Sequence, residues 1–316
     1  MYYADTRDEY SKIAFYYYKM GLTQDEIAKK MSTSRPRINR ILKKCYDMGI
    51  VRIDIESIEK QNVELEVQLE NLLGLKEIII AGDKTTAEEN VVGMAAASYL
   101  ERVLNDNDII GFSRGRALSA FADSLMPIQK NNVTVTQLVG GLNAGEISIN
   151  SDDIVRKVSQ ILNAKPCYMY APIILESAEL KQALLKESFY ANIYKTMKSC
   201  TIAMVGIGNM SNPSALDQRK YIYKSELDVL QANNAVGEVC TNYFDINGNI
   251  LNSRLEDRVL AMDLKDYVNI PLRIGVAYGI EKLSAILGAV RSGLINVLIT
   301  DLNTANCLMP MVSTYK

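Results

Sequence analysis

Apolar positions along the first fifty residues recur with helical spacing. Between Glu9 and Met20, Ile13, Tyr16, Tyr17 and Met20 fall at i, i+3, i+4 and i+7, which predicts a helix with one buried stripe, ended by Gly21. Thr23 opens a second helix, because Glu26 three residues on completes a capping box, and Ile27, Ala28 and Met31 form its buried face. After Ser32-Thr33, Ser34 caps a third helix, and Pro36 lies in its first turn, where a missing N–H costs nothing. Its stripe is Ile38, Ile41, Leu42 and Cys45, which leaves Arg35, Arg37, Asn39, Arg40, Lys43 and Lys44 largely off the buried side. "GIVRIDIE" (Gly49 to Glu56) alternates like a strand and suits either the wing of a winged helix or an ordinary hairpin edge. "KQNVELEVQLENLLGL" (Lys60 to Leu75) reads as a short linking helix, with a subunit contact and simple packing on the next domain as equal alternatives.

Beyond Lys76 the pattern changes. Continuous apolar runs such as "EIIIAG", "DIIGFS", "VTVTQLVGG", "CTIAMVGIG", "PLRIGVAYG" and "NVLIT" alternate with amphipathic stretches, which predicts a mostly parallel sheet covered on both faces. The fold class expected is α/β, with an N-terminal (winged) helix-turn-helix domain at 1–56, a linking helix at 57–75 and a larger Rossmann-like α/β domain at 76–316.

Charge sharpens the first segment. The chain is nearly neutral, with 35 Lys+Arg against 37 Asp+Glu. Between Ile27 and Tyr46, however, Lys29, Lys30, Arg35, Arg37, Arg40, Lys43 and Lys44 meet no acidic residue. Local charge is what a phosphate backbone meets, so helix, tight turn and basic helix together point to DNA. Histidine is absent, which removes Ser-His-Asp and Cys-His catalysis and the H-E-x-x-H zinc motif. The five cysteines are widely spaced with no C-x-x-C pair, so neither a disulfide framework nor a metal site is expected. No basic-then-apolar leader and no eighteen-residue apolar run is present, which reads as a soluble, cytoplasmic protein without a membrane partner.

Ligands on open α/β sheets bind at the carboxyl ends of strands, and four places there carry chemistry. "IIGFSRGRALSAF" runs a strand into a helix through Ser113, Arg114, Gly115, Arg116 and Ala117; free N–H groups and two guanidinium forks suit a phosphate or carboxylate, and a tight turn with exposed arginines is equally open. "TQLVGGLNAG" offers Gln137 and Asn143 as amide handles for hydroxyls, or holds ordinary loop glycines. "MVGIGNMS" has Ser211 where a dinucleotide fingerprint needs its third glycine, so close backbone packing is preferred and no cofactor is expected. Asp245 in "YFDINGN" can grip vicinal hydroxyls or form a turn, and Lys282 in "GVAYGIEKLSAI" can meet a phosphate or be a surface lysine.

"FYYYKMGLTQDEIAKKMSTSRPRINRILKKCYDMGIVRIDI" resembles the N-terminal domain of the SorC family of sugar-responsive bacterial transcriptional regulators. "GFSRGRAL", "LVGG", "VGIG", "VGEVCTNYFDING", "VAYGIEKLSAI" and "LITDLNTA" resemble, in order, the signatures of that family's effector domain, which is itself similar to sugar-phosphate isomerases and deaminases. The resemblance covers essentially the whole chain. It implies operator DNA as partner, with Gln24, Ser34, Arg35, Arg37, Asn39, Arg40 and Lys43 as candidate contacts. It also implies a phosphorylated sugar effector near Ser113 to Ala117, Asp245 and Lys282, to which Gln137 and Asn143 are added by their amide chemistry, and a homodimer or homotetramer. The function expected is repression of a carbohydrate-utilisation operon without catalysis; the alternative is a sugar-phosphate isomerase or deaminase carrying a DNA-binding appendage, with Asp245, Glu238 and Lys282 as acid-base groups. Pro36, Asn39, Ala117 and Tyr278 depart from the family pattern, the first two within the reading helix and the others at the effector site.

Overall fold

The computed structural model describes residues 7–53, 60–82, 88–141, 150–210 and 222–314. The chain divides into two compact units, Met1–Lys60 and Gln61–Lys316.

In the first unit, α1 (Arg7–Tyr18), α2 (Gln24–Lys30) and α3 (Arg35–Asp47) enclose a core of Tyr10, Ile13, Ala14, Ile27, Ala28, Ile38, Ile41, Leu42 and Cys45. The capping box is present: Glu26 N–H donates to Thr23 Oγ1 at 3.3 Å, and Thr23 N–H returns to Glu26 Oε2 at 2.7 Å. The α1 stripe starts one turn earlier than its spacing predicts. Tyr10, Ile13 and Ala14 are buried, whereas Tyr17 is exposed near the helix end at Tyr18 and Met20 is exposed in the following turn. Ile50 and Val51 fold back onto Cys45 O, and Val51 to Ile53 form no strand; the rest of the expected wing lies outside the described residues.

The second unit is built on seven parallel strands: β1 (Glu77–Ala81), β2 (Ile109–Phe112), β3 (Thr134–Gln137), β4 (Lys165–Cys167), β5 (Ile202–Gly206), β9 (Leu272–Val276) and β10 (Val297–Asp301). Their order is β1-β10-β9-β5-β2-β3-β4. Short antiparallel strands β6 (Gly208–Asn209), β7 (Gly237–Val239) and β8 (Asn242–Phe244) form a separate small sheet. Side chains of α5 (Glu88–Val103), α6 (Arg116–Ser124) and α7 (Ser151–Ile161) fill the core on one face. The opposite face is covered by α4 (Lys60–Leu73), α9 (Ser188–Lys198), α12 (Leu283–Arg291) and α13 (Leu302–Thr314). The remaining helices are α8 (Ala178–Lys186), α10 (Lys224–Ala232) and the single turn α11 (Leu264–Tyr267). The continuous apolar runs are the strands, as expected for a sheet buried on both sides. From β2 the chain builds outward one way and from β5 the other, so the strand order reverses between them. A crevice at the carboxyl ends of β2 and β5 is the position such a sheet offers a ligand.

Strand β1 is an edge, with β10 on one side only. Its outward N–H groups are taken by α4: Ile78 N–H donates to Glu70 Oε1 at 2.9 Å and Ile80 N–H to Glu66 Oε1 at 2.7 Å. The match is geometric, since four residues of helix and two of strand both advance about 6 to 7 Å. A carboxylate ladder of this kind closes the edge to other strands. Replacing Glu66 or Glu70 by Ala is expected to cost about 1 kcal/mol each, and replacement by Gln, which keeps the acceptor, much less; thermal unfolding reads the difference.

Candidate functional site

The helix-turn-helix places its polar residues in two groups. Arg37 is turned to α1, where its Nη2 donates to Glu9 Oε1 at 3.2 Å, and Lys44 Nζ donates to the Tyr10 hydroxyl at 3.3 Å. Both tie α3 to α1. Ser34 caps α3 through Arg37 N–H at 3.4 Å, and Arg35 makes a solvent-exposed pair with Asp25 at 3.7 Å. Asn39, Arg40 and Lys43 are exposed, and among the described residues none has an ion-pair partner. Gln24, Asn39 and Lys43 share a groove of about 410 Å³ with Tyr17, Tyr18 and Tyr46. The apolar spacing of α3 put Arg37 off the buried stripe but not on a particular side of it; the position of α1 decides that.

In the second unit, Ser113 to Ala117 occupy the turn from β2 into α6. Ser113 is buried and its Oγ accepts from Gly206 N–H at 3.0 Å, which locks the ends of β2 and β5 together. Gly206 permits this approach, since a Cβ there would stand 2.8 Å from Arg114 O. "VGIG" is thus a close-packing element: a Cβ on Gly208 would likewise meet Glu238 Oε1 at 2.7 Å. Gly115 adopts φ +131° at the N-cap of α6, with open space where a side chain would be and no side-chain cap. The first intrahelical bond is Ser119 N–H to Gly115 O at 3.0 Å, so the N–H groups of Arg116, Ala117 and Leu118 are the ones a helix start leaves over. Ala117 itself is buried, its methyl in the core, and it contributes backbone only.

Three cations surround that helix start. Arg114 reaches Glu238, 3.9 Å away in the central strand of the small sheet, while Arg116 is exposed. Lys282 is half-buried ahead of α12, and its pKa is pushed down from the ordinary lysine value by burial first and then by the Arg116 charge, against opposing help from Glu281, Glu238 and Glu89. The loop bearing Lys282 is fixed by Asp301 and Thr304: Gly279 N–H donates to Asp301 Oδ2 at 3.2 Å and to Thr304 Oγ1 at 2.8 Å. Asp301 also accepts from Thr304 N–H at 2.8 Å and from the Thr304 hydroxyl. "LITDLNTA" is therefore a scaffold for the Lys282 loop, a role its sequence alone did not disclose.

Two residues expected nearby are engaged elsewhere. Gln137 is wholly buried, donating to Ser151 Oγ at 2.7 Å and Val139 O at 3.3 Å, and accepting from Met169 N–H at 2.7 Å. Asp245 organises its own turn: Oδ1 accepts from the N–H groups of Asn247 and Asn249, both at 2.9 Å, and Oδ2 from Asn249 Nδ2 at 2.8 Å. Partial burial opposes the Asp245 charge, yet these bonds from Asn249 and Asn247 hold its pKa below the usual carboxylate value. The turn lies against the far end of α12, where Arg291 Nη1 donates to Ile246 O at 2.9 Å and a Cβ on Gly288 would come within 2.7 Å of Asp245 O. Lys282 precedes the same helix, so about 9 Å of helix axis separates it from Gly288. Glu238, which the sequence reading named only as an acid-base group of the alternative enzyme, meets the arginine cluster in place of Asp245. Asn143 lies outside the described residues. No group of three or more metal-ligating side chains occurs among the described residues, and none of their helices is long and apolar enough to cross a membrane.

A helix-turn-helix unit together with a doubly wound sheet that carries cations at its strand ends is the architecture of a ligand-responsive regulator. Residues 59–310 match the family described as "Putative sugar-binding domain". The sorbitol operon regulator of Klebsiella pneumoniae is 30% identical over 303 residues, 94% of this chain and 96% of that one. The deoxyribonucleoside regulator of Bacillus subtilis is 28% identical over 296 residues, 93% of this chain and 94% of the relative. The crystal structure of full-length SorC from Klebsiella pneumoniae superimposes with a TM-score of 0.76 at 29% identity, covering 97% of this chain and 99% of SorC. The chain belongs to the SorC family of sugar-responsive transcriptional regulators, and these relatives are regulators, not enzymes.

Proposed function

We propose that this protein is a cytoplasmic repressor of a carbohydrate-utilisation operon, binding operator DNA as a homodimer or homotetramer under control of a phosphorylated sugar. Residues 1–56 serve as the DNA-binding domain, 57–75 as the link and 76–316 as the effector-binding and oligomerisation domain. The observation that carries the effector reading is the uncapped start of α6 beside Arg114, Arg116 and Lys282: backbone N–H groups and guanidinium and ammonium groups are the partners a phosphate selects. The names of the relatives, a sorbitol operon regulator and a deoxyribonucleoside regulator, support a carbohydrate as the group attached to it. Gln137 and Asp245 support the site through the loops they organise.

Control follows from linkage: the effector shifts DNA affinity by as much as its own affinity differs between the DNA-competent and DNA-incompetent arrangements. Titration of promoter DNA with and without a panel of phosphorylated sugars tests the reading; no member changing DNA affinity counts against it. On the DNA side, Arg40→Ala and Lys43→Ala are each expected to lower affinity and to reduce the slope of log K against log salt by about one, the mark of a lost phosphate contact. Arg37→Ala should weaken binding only in step with a lower melting temperature, because its guanidinium braces α1. A full salt-slope change in Arg37→Ala at unchanged stability would reverse that assignment.

A further inference from the structure

Tyrosines in the helix-turn-helix unit fall into two sets. Tyr10 and Tyr16 pack in its core, and each carries a lysine of another helix over its ring, Lys44 at 5.8 Å and Lys30 at 5.3 Å. Tyr17, Tyr18 and Tyr46 instead leave 36%, 44% and 61% of their surface open, and they line the groove that also holds Gln24, Asn39 and Lys43. Tyr17 and Tyr18 stand edge to face with ring centroids 4.9 Å apart, so each restricts the other before anything binds. Asn39, Lys43 and Tyr46 are spaced i, i+4 and i+7 on one face of α3, with the buried Leu42 beside them in the groove lining. Clustered exposed rings mark a surface that meets a partner, and a phenol adds a hydrogen-bonding tip to an apolar body.

We propose that this groove seats the sugar-phosphate backbone of duplex DNA: the rings of Tyr17, Tyr18 and Tyr46 pack on deoxyribose, while their hydroxyls, with Gln24 and Lys43, donate to phosphate oxygens. The inference rests on the DNA-binding reading above and adds three contacts to it. Charge and chemistry select this occupant. The groove continues the basic face of α3, since Lys43 lines it and Arg40, three residues earlier, is exposed beside it. Its polar lining of phenol, amide and ammonium groups is the set that contacts phosphate and sugar in protein–DNA complexes. Base faces in a duplex are stacked on one another, so a ring alongside meets sugar; stacking on a base would require a single strand. Asp47 is the acid of the groove, one turn beyond Lys43 at the end of α3, and sets the limit of the phosphate path. Backbone contacts position the duplex and carry no sequence information, so DNA of any sequence should feel their loss.

Titration of the full chain with a duplex of arbitrary sequence and with promoter DNA, each over a range of salt concentrations, tests this. The triple variant Tyr17→Phe, Tyr18→Phe, Tyr46→Phe keeps the rings and is expected to weaken both duplexes by the same factor, about 5- to 50-fold, from roughly 2- to 5-fold per hydroxyl in a groove open to water. Its salt slope should stay at the wild-type value, because no cation is lost, whereas Lys43→Ala lowers the slope. Melting temperature and oligomeric mass should match wild type, since all three residues are exposed. Wild-type affinity in the triple variant, with Lys43→Ala still weakened, overturns the groove contacts and leaves the DNA reading standing. No binding of either duplex by wild type overturns both. A loss confined to promoter DNA assigns the tyrosines to bases and overturns the backbone contact. A changed oligomeric mass shows that the groove seats a second copy of the chain, and a lower melting temperature shows that the hydroxyls hold the fold; either result overturns the proposal.

Discussion

Arg258→Met is expected to destabilise the protein by about 3 to 5 kcal/mol, the largest single loss the structure implies. Arg258 and Glu226 form a bidentate pair, Nε to Oε1 at 2.9 Å and Nη2 to Oε2 at 2.6 Å, with both residues buried. The same carboxylate accepts from Tyr223 N–H at 2.7 Å at the start of α10, and Arg258 Nη1 donates to Leu175 O at 2.8 Å. The guanidinium lies 3.9 Å above the Tyr223 ring, whose hydroxyl donates to Glu176 O at 2.8 Å. One cation thus ties together the segment after β4, the start of α10 and the turn before α11. Removing it leaves a buried carboxylate with uncharged donors alone, and the desolvation cost of that charge is then uncompensated. Arg258→Met with Glu226→Leu should recover much of the loss, since an apolar pair of similar volume demands no solvation. Thermal or denaturant unfolding reads both variants; a loss under about 1 kcal/mol in Arg258→Met alone would mean that the pair is solvated and the clamp does not exist.

The second large effect is on binding. Lys282→Ala is expected to weaken a phosphorylated sugar by about 10- to 150-fold, the range for a hydrogen bond to a charged group, while sparing any binding of the free sugar. The ammonium is half-buried, and Arg116 adds repulsion to the cost of burial. An incoming phosphate relieves both, so the affinity is in part stored in the ligand-free protein. It follows that Lys282→Ala should be no less stable than wild type without ligand. Equal affinity of wild type and variant for the phosphorylated sugar, measured by calorimetry, would remove Lys282 from the site. The rise in melting temperature with ligand concentration should shrink in parallel.

Much of the architecture was legible because it is written over a few residues. The Thr23–Glu26 capping box, Ser34 as N-cap and the Ile38, Ile41, Leu42 and Cys45 stripe are local matters, and all are found in the structure. The strand runs were legible for a related reason: a strand covered on both faces admits little but apolar residues. "SRGR" and Lys282 could be picked out because glycine, guanidinium and helix start imply anion chemistry wherever they occur. Other partners of the candidate residues were not legible, because the deciding contact lay elsewhere in the chain. α1 holds Arg37, the Ser151 and Met169 segments hold Gln137, and the Asn247–Asn249 turn holds Asp245.

The sequence by itself determined the helix-turn-helix elements, the parallel α/β class and the basic character of the helix start at α6, because caps, periodicity and local charge act within one or two turns of backbone. Tertiary structure alone decided which polar side chains stay exposed and which hold the scaffold. Glu238 comes to Arg114, Asp301 to the Lys282 loop, and Asp245 to the far end of α12, through packing of segments distant in sequence. A polar residue's function is set by the partner it finds, and spacing along the chain does not specify that partner.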